Sequence, residues 1–88
     1  MVVGKDVNKI HFSVKQTTTT AKLKIIYSQI YSVPVGVLRF LFLARTMKDD
    51  ATPKSLEMEQ DDEIEVYQEQ TDGNFHFVSY IKVIELHQ

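Results

Sequence analysis

Cysteine is absent from the sequence. That removes disulfides, thiolate metal sites and cysteine nucleophiles together, and it fits a reducing compartment. The three glycines are scattered and form no phosphate-cradling loop. Basic charge is not in excess. The net charge is −2, so no global basic field draws the chain to nucleic acid or to anionic lipid. The basic residues are dispersed, without aromatics interleaved among them on one face. No apolar run approaches the roughly 20 residues needed to cross a bilayer. The opening MVVGKD is too short and too quickly charged for a signal peptide. These absences imply a soluble intracellular domain, with neither nucleic acid nor membrane as a partner.

Chemistry-bearing constellations are also scarce. The histidines His11, His76 and His87 show no helical pairing and no acid at ligand spacing, so metal binding has little support. No serine or threonine has a local base. Asp61 and Asp62 are adjacent on a turn-like stretch, a solvent-facing arrangement and not a catalytic pocket. The chain does not read as an enzyme, and no cofactor is expected.

What is present is enough for one small domain. The 88 residues are 43% hydrophobic, which supports a single modest core. In KIHFSVK, Ile10, Phe12 and Val14 alternate with His11, Ser13 and Lys15, the pattern of a strand with one buried face. Thr19 or Thr20 can cap a helix starting at Ala21. Leu23, Ile26, Tyr27 and Ile30 give that helix an apolar face, with Ile25 and Tyr31 outside it. Pro34 and Gly36 end it. LRFLF reads as a well-covered strand, Thr52-Pro53 as the start of a short helix, and DDEIEVYQEQ as a strand with Ile64 and Val66 on one side. One amphipathic helix across a mixed sheet gives an α+β fold.

The blocks IHFSVKQTT, LKIIYSQ, VPVGVLRFLF and DDATPKSLEMEQDDEIEVYQEQT resemble the SUMO family of small ubiquitin-like modifiers. The match runs without gaps from about Val2 to Gly73, leaving residues 74–88 as a C-terminal extension of a domain spanning 1–73. The resemblance implies a ubiquitin-like β-grasp, a mixed sheet wrapped around one main helix. It also implies a nuclear and cytoplasmic protein.

Three surfaces follow from that resemblance. The first is a groove between a strand and the helix, where partners carrying SUMO-interacting motifs add a strand to the sheet edge. Its matching positions are Ile10, His11, Phe12, Val14, Lys15, Lys22, Leu23 and Ile26. Ser13 stands where the family has a lysine and Thr20 where it has a leucine, while Ile26 and Ile30 replace a serine and an arginine. The groove should therefore be more apolar and less basic, with weaker salt dependence. The second surface docks the conjugating enzyme and comprises Leu43, Glu59, Asp61 and Asp62. Leu43 stands where the family carries an acid, and Gln60 replaces another.

The third surface is the tail. A modifier of this kind ends in a flexible diglycine whose carboxylate is adenylated and passed to enzyme thiols, through tunnels that exclude a β-carbon. In this chain Asp72 stands at the first glycine, and Gly73 is followed by fifteen residues. Asp-Gly between strand-like runs is instead a hairpin signal, with positive φ expected at both central positions. NFHFVSYIKVIEL has the composition of a strand, and MVVG is a shortened version of the family's opening strand. The tail is expected to lie antiparallel to residues around Ile64–Gln70 in the vacant place, or to exchange between two chains. The bland alternative makes residues 74–88 an extension without function.

Two classes of function are weighed, and the resemblance over the whole domain names the first, the modifier, as the function. One is a modifier attached to target lysines through Gly73 after removal of residues 74–88, with the activating and conjugating enzymes and proteases of the pathway as partners. The other is a non-conjugated, or drifted, binding module that presents only the groove.

Overall fold

The alternation in IHFSVK forms strand β1, Asn8–Lys15, and each subsequent stretch takes up a position relative to it. The computed structural model of the chain describes residues 8–88, so the expectation for MVVG lies outside the described residues. Helix α1 spans Thr20–Tyr31, with Thr19 as its N-cap accepting the Lys22 amide proton. Ser32 closes it in the left-handed region at φ 56°. A single 3₁₀ turn at Val35–Val37 leads into β2, Leu38–Phe42. Strands β3, Arg45–Thr46, β4, Glu63–Glu69, and β5, Phe75–His87, follow. The described strands form one mixed sheet in the order β1-β5-β4-β2-β3, with α1 packed on one face.

The short helix expected after Thr52-Pro53 does not form. Thr52 and Ser55 do make reciprocal capping bonds, the Ser55 amide donating to Thr52 Oγ1 at 3.1 Å and the Thr52 amide to Ser55 Oγ at 2.9 Å. Glu57 then turns to φ 56°, so the segment stops after one turn. Helix α1 also departs from its expected face. Leu23 and Tyr27 are buried and Ile26 is partly buried, but Ile30 is 54% exposed.

Residues 74–88 supply the centre of the sheet. β5 runs antiparallel to β4, pairing Ile64 with Ile81 and Glu65 with Tyr80. On its other side it runs parallel to β1, pairing Ile10 with Ile81 and Phe12 with Val83. The β5–β1 connection is the whole domain, so the parallel pair does not violate the need for a long crossover. Two register shifts leave Val78 and Ile84 as extra residues of β5. Each bulge resets the alternation. As a result Val78, Ile81, Val83 and Leu86 all pack on the core, while Phe77 turns outwards onto Tyr67 and Tyr80.

The core lies between α1 and the inner sheet face. Phe40, Ile64, Val66, Ile81 and Val83 have no exposed surface. Its one buried side-chain polar bond between helix and sheet is Tyr27 Oη to Ser79 Oγ at 2.8 Å, among the described residues. Burial holds the Tyr27 phenol above its usual pKa, with the Ser79 bond acting in the opposite sense. Tyr27→Phe or Ser79→Ala alone strands a buried hydroxyl and should cost about 1–3 kcal/mol. The double variant should lose clearly less than the sum, measured by denaturant unfolding in a double-mutant cycle. Strictly additive losses would mean that the bond does not form.

Candidate functional site

β1 is an edge strand, paired with β5 on one side and with no described strand on the other. Between this edge and α1 runs a groove of about 480 Å³, lined in part by Phe12, Val14, Lys15, Lys22, Leu23 and Ile26. His11 also lines it, so seven of the eight groove positions expected from the sequence come together. Ile10 does not. It pairs with Ile81 and packs against the core. Sequence reasoning missed Thr18, whose Oγ1 accepts the Lys15 amide proton at 3.2 Å and shapes one end of the groove. Its signal was its place three residues after Lys15, where a threonine hydroxyl can reach back to a backbone amide.

The chemistry of this groove follows from its residue types. Phe12, Val14 and Leu23 form an apolar floor held by the core. Among the described residues Lys15 and Lys22 make no ion pair, whereas Lys9 pairs with Glu63 and Lys24 with Asp49. An open strand edge offers main-chain donors and acceptors to an extended segment. These three elements offer an extended segment main-chain pairing, apolar contact and charge at one place.

The acids that precede β4 lie towards the same end of the sheet as Lys15 and differ in what they do. Glu59 and Asp61 are exposed, Asp61 at φ 75°. Asp62 is spent on local structure, its Oδ2 accepting the Glu59 amide proton at 2.8 Å. The Asp61 amide and the Asp62 carbonyl both bond to Val83, which extends the β4–β5 ladder. Leu43 and Ala44 form the two-residue turn between β2 and β3, at φ 52° and 66°, with Leu43 79% exposed. The β2–β4 register puts this turn at the same end of the sheet as Asp61 and Asp62. Leu43 itself lines a shallow depression of about 500 Å³ with Arg45, Leu56 and Glu57.

Asp72 and Gly73 lie in the turn that joins β4 to β5, and its type differs from the expectation. Only Gly73 has positive φ, at 82°. The Gly73 amide donates to the Gln70 carbonyl at 2.9 Å, and the Gln70 amide to the Asn74 carbonyl at 2.9 Å. This is a three-residue hairpin loop ending in a left-handed glycine, in place of the two-residue turn. Asp72 Oδ1 accepts the Asn74 amide proton at 2.9 Å, and His76 Nε2 lies 3.2 Å from Oδ2. A third exposed cluster sets Ser13 Oγ 2.9 Å from both Glu85 Oε1 and His87 Nε2. Glu85 approaches the same ring nitrogen, at 3.5 Å, so no carboxylate–imidazole–hydroxyl relay exists there.

One helix gripped by a mixed sheet, with an open edge groove beside the helix, defines a ubiquitin-like domain of the β-grasp class. Residues 1–68 match the family described as "Ubiquitin-2 like Rad60 SUMO-like". A Caenorhabditis elegans protein named "Small ubiquitin-related modifier" is 58% identical over 72 residues, which cover 82% of this chain and 79% of that protein. The chain belongs to the SUMO-like family of small protein modifiers.

The Asn74 amide bond, with the His76 ring adding to it, holds the Asp72 carboxyl below its usual pKa. A depressed folded-state pKa means that the turn contact is present above the ordinary carboxylate range and is lost as pH falls through the lowered value. Lowering the pH from about 5 towards 1 should therefore move the Asn74 amide resonance with an apparent pKa below that of a free aspartate, about 3.9. In Asp72→Ala that titration should vanish. A midpoint at the free value would mean that Asp72 does not anchor the turn.

Proposed function

We propose that this chain is the partner-reading form of a SUMO-like modifier: its groove binds extended apolar-acidic segments of partner proteins, and it is not attached to targets through Gly73. Pathway readers with such segments are its partner class. The observation that supports this reading is the placement of Asp72-Gly73 in a closed hairpin turn that leads directly into the central strand. Attachment through Gly73 requires a free, flexible end. Releasing that end means removing β5.

The energetic consequence is severe. Ile81 and Val83 are wholly buried, and each contributes about 1.5–3 kcal/mol by burial alone. Loss of β5 would also open both inner ladders. A domain of this size has only about 5–15 kcal/mol of total stability, so a chain ending at Gly73 should not unfold cooperatively. The rival reading, attachment to lysines after removal of residues 74–88, has family membership behind it. It requires enzymes to accept Asp72 where the family has glycine and Leu43 where it has an acid.

Incubation with a SUMO-specific protease, followed by intact mass measurement, separates the two. The folded full-length chain should keep its mass. Loss of the mass of residues 74–88, with the remaining domain still folded by circular dichroism, would overturn the proposal and support conjugation. Binding at the groove has its own test, the amide shifts of Phe12 and Lys22 on titration with an extended apolar-acidic peptide. These should move together.

A further inference from the structure

The groove is polarised along its length, which assigns a selectivity to this chain beyond binding as such. Lys22, Ile26 and Ile30 are spaced four residues apart and form one row on α1 facing β1. Lys22 lies in the first turn, at the same end as Lys15 and Thr18, where the chain leaves β1 and enters the helix. Ile30 lies eight residues further on, about 12 Å along the axis. The cations therefore occupy one end only, and the other end is walled by Ile26 and Ile30. Ile30 is 54% exposed although it lines the groove, so its apolar surface is open to a ligand.

We infer that Ile30 is a specificity-determining residue that restricts the groove to segments acidic on one flank only, with a large apolar side chain at the opposite end. This rests on the groove reading proposed above. An acid on the far flank would sit against Ile26 and Ile30, giving up hydration with no cation to receive it. A Leu or Ile there would instead cover exposed apolar surface.

The test uses the full chain and two extended peptides with the same apolar run. One carries acids on a single flank and leucine on the other; the second carries acids on both flanks. Calorimetric titration should give the one-sided peptide at least a tenfold lower Kd. Ile30→Arg, at an exposed position, should narrow or reverse that ratio while the variant stays folded. Equal Kd values for both peptides on the native chain would overturn the inference and leave the groove reading intact. An unchanged ratio in Ile30→Arg would remove Ile30 from the role. No binding of either peptide would defeat the groove reading and the inference together.

Discussion

A strand in the middle of a sheet must satisfy donors and acceptors on both edges, and in this protein that obligation falls on β5. Its backbone joins β4 on one side and β1 on the other. Without it the sheet would divide, with β1 on one side and β4-β2-β3 on the other. Both ladders continue past the strand ends, with the Gln16 amide donating to the His87 carbonyl and the Asp61 amide to that of Val83, both at 2.6 Å. Ser79 gives the helix its one buried side-chain hydrogen bond to the sheet among the described residues. The C-terminal segment therefore positions everything else.

This placement links features that are distant in sequence. The groove is bounded by β1, and β1 is fixed to the domain by β5, so the binding edge and the C-terminal segment are one mechanical unit. The outer sheet face is remodelled by the same strand. Phe75 lies under the Arg39 guanidinium at 4.4 Å, and Phe77 stacks edge-on against Tyr67 and Tyr80. Those contacts cover aromatic surface that a strand of this composition would otherwise leave in water.

Much of this was legible in the sequence, for identifiable reasons. The alternation of Ile10, Phe12 and Val14 and the spacing of Leu23 and Tyr27 report burial directly, because each element has one face on the core. The groove followed from the same residues, read through the resemblance. Ile30 carried two readings, one in the apolar face of the helix and one, through the resemblance, in the groove, and its 54% exposure beside β1 agrees with the second. The turn after Gln70 was recognised but mistyped. Asp-Gly fits both two-residue and three-residue loops, and only the hydrogen bond from Gln70 to Asn74 decides between them. The missing helix at Thr52 has a similar cause, since its capping residues are present and Glu57 stops the run through its backbone angle alone. The two bulges of β5 left no local signature, because they arise from fitting a long strand to two neighbours at once.

The most direct measurement is a nuclear Overhauser spectrum of the full chain across the β1–β5 ladder. Contacts between Ile10 and Ile81 and between Phe12 and Val83 should appear, together with slow exchange of the Ile81 and Val83 amides. Fast exchange throughout 75–87 and no contact to β1 would contradict the account, because the centre of the sheet would then not be β5.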